Sequence, residues 1–415
     1  MDNLTHTLVG LVVGEAAARG TRADPAGIAE ATRRNLFVSV MTIGSNVPDL
    51  DFIPSRITGS KLDYLLHHRG HTHTIVGALV LGLILYACCE AWCRVKRQHL
   101  SARDRVQLLG IGVFASLLHI ALDFTNSYGV HPFWPIDNRW YYGDAVFIVE
   151  PLFWAASAPL VFLLRSKFAK AFVAITLLAG IGLSIATGMV PKALCAALAS
   201  LMVALIVVGK LAPARVALTI SLVLWVSINA LFLGSSAIAA DRARALAGAT
   251  FPRDRLLDQV LTPMPVNPFC WSLILVQEND DRWFVRRAAL SLAPHWLPAE
   301  RCPSRSDPSA GTAPVSAIGA EDQATIKWID ELALDRTALN EWLERDCAAA
   351  QFMRFARAPW LASIEDAWII GDLRFDNEPG LSFAEIELGD RTACLSNVPP
   401  WVMPRRDLLV RSEEE

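Results

Sequence analysis

The sequence predicts an all-α integral membrane helix bundle with a small α+β extramembrane domain at its C-terminal end. Three observations carry that expectation. Of 415 residues, 53% are hydrophobic and only 19% are charged, against about 25% charged in an ordinary soluble domain; the mean hydropathy is +0.35. Six stretches approach the ~20 apolar residues that cross a bilayer, and all lie before residue 235. Beyond it the chain turns charged and rich in Trp. The expected division is therefore a membrane-embedded domain over residues 1–235 and a soluble α+β domain over residues 236–415. A net charge of −3 gives no basic surface for phosphate neutralisation, so nucleic acid is not an expected partner.

The long apolar stretches are residues 74–91, 107–122, 145–164, 171–190, 193–208 and 216–234. Two shorter runs, 4–18 and 36–47, fall below span length and read as tilted, re-entrant or half-buried helices. The Met1-Asp2-Asn3 start has no basic region ahead of an apolar core and cleavage site, so no cleaved leader is expected.

Basic residues then orient the spans. Arg19, Arg22, Arg33 and Arg34 lie between the two short runs. Arg94, Lys96, Arg97, Arg103 and Arg105 fill the loop between the first two long spans. Arg165, Lys167 and Lys170 follow the third, and Lys210 and Arg215 follow the fifth. With these loops inside, the alternate loops carry only Arg56, Lys61, Arg69, Arg139 and Lys192. The C-terminal domain then lies outside. Within it, residues 271–277 and 283–290 flank Asn279-Asp280 as a hairpin. Residues 326–342 read as a helix, 366–371 and 381–388 as strands, and the Pro/Ser/Gly-rich stretch 303–314 as an exposed loop. Cys270, Cys302, Cys347 and Cys394 all belong to this domain and could form two disulfides in an oxidising compartment.

The chemistry-bearing residues cluster. His67-His68-Arg69-Gly70-His71-Thr72-His73 packs four of nine histidines into seven residues, immediately before an apolar run. Imidazole is the commonest metal ligand. Asn46-Val47-Pro48-Asp49-Leu50-Asp51 places two carboxylates on a proline-bounded turn. His119 and Asp123 share a helix face at i and i+4; ionisable groups at membrane depth pair or bind ions. A plain His–Asp hydrogen bond closing the helix is the competing account. The predicted topology delivers His6, Asp49, Asp51, His68, His73, His119 and Asp123 to one end of the bundle. Mixed imidazole and carboxylate ligands favour zinc foremost, with manganese or iron as alternatives, as one ion or two. Arg69 is a candidate phosphate fork or a lipid-headgroup anchor. His131 is a candidate supporting residue.

Asp2 with Thr5-His6, Pro48-Asp49-Leu50-Asp51, His68-Arg69-Gly70 with Thr72-His73, and His119 through Asp123 with Asn126-Ser127-Tyr128-Gly129 together resemble the YdjM family of membrane-bound, metal-dependent hydrolases. The resemblance continues through Trp134-Pro135, Asp144 and Glu150-Pro151-Leu152, and touches Thr262-Pro263, Asn267-Pro268 and Asp372-Leu373-Arg374-Phe375. Family members often have Ser at position 74 and Asp at position 150, where this chain has Thr74 and Glu150. The His-x-x-x-Asp spacing is also similar to that of helical zinc phospholipases C and single-strand nucleases. The resemblance implies a divalent-metal hydrolase of a bacterial inner membrane. Asp49, Arg69, Asp144 and Glu150 are then the catalytic or supporting candidates, and a metal-activated water would attack a phosphoester of a lipid or envelope precursor. Membrane lipids are the expected partners, and the periplasmic face the expected side. Two other readings stand beside it: a non-catalytic protein with a structural metal and a partner-binding outer domain, and an ion-relaying transporter. The later spans lack charged residues at mid-depth, which weighs against the transporter.

Overall fold

A computed structural model describes residues 1–280, 282–303, 311–376, 380–389 and 394–409. The N-terminal half is helical and holds five helices long and apolar enough to cross a bilayer: α5 (Ile75–Val95), α6 (Ala102–Phe124), α9 (Lys167–Ala186), α10 (Lys192–Leu211) and α11 (Ala214–Thr250). The chain is a multi-pass membrane protein. α1 (Asn3–Gly20) and α2 (Glu30–Gly44) form an antiparallel hairpin packed against α6. Its two axes come close because Gly10 and Gly14 leave no room for side chains: a Cβ at either would lie 2.8 Å from Cα of Thr42 or Val38. This is the small-xxx-small contact by which membrane helices approach.

The basic ends of several segments meet at one end of the bundle. Arg34 donates to Glu15 (2.7 Å) and to the Leu163 carbonyl (3.0 Å), Arg19 reaches the same carbonyl (3.2 Å), and Arg215 reaches the Arg19 carbonyl (3.2 Å). Arg33 bonds Gln107 near the start of α6 (3.0 Å). The other end of these helices carries His6, the turn after α2, the turn before α5, and Asp123.

One expected span is corrected. Residues 145–164 do not form a single long helix but two short ones, α7 (Pro151–Ala156) and α8 (Leu160–Leu163), broken around Pro159. Together they rise about 20 Å, well short of the ~30 Å apolar layer. The stretch is apolar because it is interior to the protein. Phe153, Trp154, Ala155, Ala156, Ala158 and Leu160 are all buried, and the Trp154 indole donates to Thr5 Oγ1 at 2.8 Å.

Beyond the turn at residues 47–51 come α3 (Phe52–Thr58) and α4 (Lys61–His67), of which α4 packs against the C-terminal region. That region contains two antiparallel sheets. β1 (Arg255–Met264), β2 (Asn267–Asn279), β3 (Arg282–Ser291) and β4 (Ile326–Asp335) pair in sequence order, and β5 (Pro359–Ile364), β6 (Ala367–Asp372) and β7 (Glu385–Glu387) form the second sheet. α12 (Arg336–Arg345) and α13 (Cys347–Phe352) complete it. The hairpin turns at Asn279-Asp280, with Asp280 in the left-handed region (φ 52°).

The expected helix over 326–342 is a second correction. Its first ten residues are β4, with Ile326, Trp328, Asp330 and Leu332 buried at every second position. That is the period of a strand lying on a core. The helix begins only where the Asp335 carboxylate caps Thr337 N (2.7 Å). Of the expected loop at 303–314, residues 304–310 lie outside the described residues.

Cys270–Cys302 and Cys347–Cys394 are disulfides, with Cα atoms 5.5 and 5.8 Å apart. Cys88, Cys89, Cys93 and Cys195, in the helices, are free.

The two halves share one core. Leu62, Leu65 and Leu66 of α4 pack with Tyr128, Trp140, Phe352, Phe355 and Trp360. Trp401 donates to the Leu66 carbonyl (2.7 Å), Arg374 to the Ser127 carbonyl (2.7 Å), and Trp140 to the Arg354 carbonyl (2.7 Å). The β region is thereby clamped over the end of the bundle that carries the histidines.

Replacing Gly14 with Ala should push α1 from α2 and destabilise the protein by about 1–3 kcal/mol. Gly110→Ala, where a Cβ meets nothing within 4 Å, should be neutral or slightly stabilising. Thermal melting of the detergent-purified variants measures both; equal melting would show that the close hairpin contact is unimportant.

Candidate metal centre

The site starts from a helix end: α2 stops at Gly44 and the chain resumes as a 3-10 turn with Pro48 in its first residues, so the helical path bends by 46° between α2 and residues 47–58. The break leaves the Ser45 carbonyl without a helical partner, and His119 Nδ1 lies 2.8 Å from it. A carbonyl can only accept, so Nδ1 carries a proton, and in the neutral ring Nε2 carries the lone pair. The same break presents Asp49 and Asp51 on a 3-10 turn (residues 47–51).

His73 is fixed from the opposite side. It ends a short 3-10 turn (residues 71–73), tied to α5 by Thr74, whose hydroxyl donates to the His71 carbonyl (2.9 Å) and accepts from Gly77 N (2.8 Å). His73 Nδ1 faces Thr72 Oγ1 (3.0 Å) and Asp51 Oδ2 (3.3 Å), and the Thr72 hydroxyl spends its own proton on Asp51 (2.7 Å). Nδ1 is therefore the donor, and Nε2 again holds the lone pair. The two Nε2 atoms face each other at 3.0 Å. Two lone pairs meet at that distance only with a positive charge between them, a shared proton or a metal ion.

Two carboxylates complete the set. Asp49 Oδ1 is 3.3 Å from His73 Nε2 and 3.4 Å from His119 Nε2; Asp123 Oδ2 is 3.2 and 3.3 Å from the same atoms. Four ligands on a tetrahedron with arms of 2.0–2.1 Å are spaced by about 3.3 Å. Five of the six edges thus fall at 3.0–3.4 Å. Asp123 Oδ2 is buried and has no hydrogen-bond donor among the described residues, so its free lone pairs point to a metal. Asp49, His73, His119 and Asp123 are spaced so that together they could hold a metal ion.

The other oxygen of Asp123 is saturated. His6 Nε2 (3.2 Å), Arg69 Nη2 (3.0 Å) and the amino group of Met1 all converge on Oδ1. His6 also stacks on the His119 ring, centroids 3.9 Å apart. It supports two ligands and lies outside the four-ligand group. Arg69 is turned inward: it is 3% exposed and bonds Asn126 Oδ1 (2.8 Å). Its guanidinium sits 4.7 Å from the centre of the Tyr128 ring. The backbone at Arg69 is left-handed (φ 60°), with its N–H on Asp51 Oδ2 (2.9 Å) and its carbonyl near His131 Nδ1 (3.2 Å). Arg69 therefore binds a ligand carboxylate rather than standing open in a cleft.

A second group adjoins the first. Asp49, Asp51 and His68 each bring one ligand atom within 4.8 Å of the others, and His68 Nδ1 is 2.9 Å from Asp51 Oδ1. Asp49 belongs to both groups. Exposure changes across the pair: the side chains of His73, His119 and Asp123 are at 0%, those of Asp49, Asp51 and His68 at 8, 9 and 12%. The centre is least buried on the His68 side.

Asp144 and Glu150 take other partners. Asp144 pairs with Arg357 (2.8 Å), which also holds Asp258 (2.8 Å). Burial pushes the Asp144 carboxyl above its usual range against the pull of that guanidinium. Asp258 also feels burial, but Arg357 holds it below the usual range. Glu150 caps α7 at Leu152 N (3.0 Å) and accepts from Val266 N (3.1 Å). Both carboxylates thereby bind the C-terminal region to the bundle. Sequence reasoning did not single out the Ser45 carbonyl; the available signal was Pro48, which marks a helix end with unpaired carbonyls upstream.

Elemental analysis of purified protein should find bound metal in the wild type and none in His119→Ala or Asp123→Ala. Asp51→Asn, which removes a carboxylate behind His73, should weaken metal affinity by about 10–100-fold. Full retention of metal in both ligand variants would sink the assignment.

Among curated proteins, an uncharacterized protein named YfhP from Bacillus subtilis (strain 168) is 25% identical over 140 residues, 34% of this chain. The match spans 39% of that relative. No solved structure matches the chain. The family profile described as YdjM inner membrane protein matches residues 1–192. That stretch contains every ligand described above and ends before the C-terminal residues that also resembled the family. The part of the chain that builds the metal centre is thus similar to the YdjM inner membrane protein family over residues 1–192.

Proposed function

We propose that the protein is a membrane-embedded, metal-dependent hydrolase that cleaves a phosphoester of a lipid or envelope precursor. The observation that carries this reading is the pair of facing imidazole nitrogens joined by two carboxylate oxygens at metal-ligand spacing. Their edge lengths and the mixed donors favour zinc, with manganese or iron able to occupy such a set. When bound, such an ion lowers the pKa of water and polarises a phosphoryl oxygen. The chain's own residues supply the remainder. Asp51 fixes the His73 tautomer, Arg69 anchors Asp123, and Asp49 and His68 face the side from which water and substrate enter. Asp49, at the junction of the two groups, is placed to take a proton from the attacking water or to bridge to a second ion.

A second reading has one observation in its favour. Four protein ligands close a tetrahedron, as in structural zinc sites. The partial exposure of Asp49, Asp51 and His68 favours the catalytic reading, since a purely structural site has no need of an open face.

Detergent-purified protein supplied with zinc or manganese should hydrolyse phospholipids or model phosphodiesters, and Asp123→Ala should lower turnover by about 100-fold or more. A filled metal site with no turnover on any ester would favour the structural reading.

The proposed location is a bacterial inner membrane with the site and the β region on the periplasmic face. The basic cluster at the opposite end and the two disulfides support that orientation. In intact cells, an impermeant maleimide should label Trp296→Cys at an exposed position, and should reach Arg97→Cys only after lysis. The reverse pattern would invert the topology.

A further inference from the structure

Beside the exposed edge of the metal centre lies a cavity of about 360 Å³, lined by Ser55, Arg56, Ser60, Lys61, Tyr64 and Phe383. It adjoins the site directly. The Tyr64 ring packs on His68 (4.8 Å between centroids) and on Phe383 (5.6 Å), and Ser55 lies one helical turn beyond Asp51. Its charge is positive. Among the described residues neither Arg56 nor Lys61 pairs with a carboxylate, and the Lys61 ammonium rests on the Leu381 and Ser382 carbonyls (2.9 and 2.8 Å). The adjoining surface is greasy: Leu50, Ile53 and Ile57 are 52, 44 and 81% exposed and, at i, i+3 and i+7, form one stripe along the turn and α3.

A cationic, hydroxyl-lined hollow beside an exposed apolar stripe, at the end of a membrane bundle, matches one kind of molecule. We infer that this cavity receives the anionic headgroup of a single membrane lipid, with its acyl chains along Leu50, Ile53 and Ile57, so that the phosphoester comes to lie beside His68 and Asp51. Arg56 and Lys61 would meet the phosphate by charge-assisted hydrogen bonds, and the Tyr64 hydroxyl is available as a further donor. The inference rests on the hydrolase reading for its meaning, since it names the substrate class of that site; binding itself does not require turnover.

The test is a binding titration of full-length protein in detergent, with short-chain phosphatidic acid as the lipid probe and glycerol phosphate as the free-headgroup probe. Variants Arg56→Gln and Ile57→Asp change exposed side chains, and bound-metal content serves as the check on folding. Arg56→Gln should weaken phosphatidic acid binding by about tenfold, and Ile57→Asp by a similar factor, with metal content unchanged in both. Ile57→Asp should leave glycerol phosphate binding as it was. Unaltered lipid affinity in both variants overturns the cavity assignment, whatever the hydrolytic activity. Equal affinity for the two probes in the wild type overturns the lipid half of it. Failure of the hydrolase reading looks different: lipid binding that depends on Arg56 and Ile57, without turnover.

Discussion

The hydrogen bond between His119 Nδ1 and the Ser45 carbonyl is the constraint on which the centre depends. It exists because α2 ends at Gly44 and the Asp49 N–H, which would meet the Ser45 carbonyl in a continuous helix, turns instead to the Asn46 carbonyl (3.2 Å). An unpaired carbonyl buried there would cost free energy; the imidazole meets it and in doing so is locked in the tautomer that aims a lone pair inward. One helix break thus accounts for the bend after α2, the orientation of one ligand and the placement of two carboxylates on the turn. His73 is oriented in the same manner from another element, by Asp51 and Thr72. In both cases a hydrogen bond behind the ring determines what the ring can hold.

The polar core of the membrane half is arranged around that constraint. Asp123 divides its two oxygens between tasks, one taking His6 and Arg69 and the other left without a donor. Arg69 sits in a left-handed backbone conformation that lets its N–H reach Asp51 while its side chain reaches Asp123. A single residue therefore spans both groups of ligands. The C-terminal region reinforces this end of the molecule. Trp401 holds α4, Arg374 holds the loop after α6, and Arg357 holds Asp144, so the elements carrying His68, Asp123 and Tyr128 are clamped from outside the bilayer.

Much of the architecture was legible from residue chemistry. Five of six long apolar runs are long helices, because lipid-facing length and composition are read directly from the chain. The sixth, around Phe153 and Trp154, was misread because apolar composition is the same whether a segment faces lipid or the protein interior. Residues 326–342 were misread because Leu332, Leu334, Leu339 and Trp342 mix two periodicities where a strand runs straight into a helix. The cluster of His6, Asp49, Asp51, His68, His73, His119 and Asp123 was visible through ligand type, and its convergence through the placement of arginines and lysines. The division of labour within it was not. Which oxygen of Asp123 is free, which nitrogen of His73 is protonated and why Arg69 turns inward all depend on contacts between segments far apart in the chain, and Ser45 acts through a backbone atom that carries no side-chain signature.

α11 runs unbroken from Ala214 to Thr250, about 55 Å at the helical rise, against about 30 Å of bilayer hydrocarbon. The excess is a stiff post rather than a tether, and the first β-strand leaves it after only a few residues. The expected division at residue 235 therefore falls in mid-helix, with Ala239, Ala243 and Ala247 packed against Trp271 and Leu273 beyond it. A fragment cut there would lose half of its mast and bare the surface that Leu62, Leu65 and Leu66 now cover. The sheets are in effect a roof held at two points, by the rigid extension of α11 and by the contacts to α4 and the loop after α6.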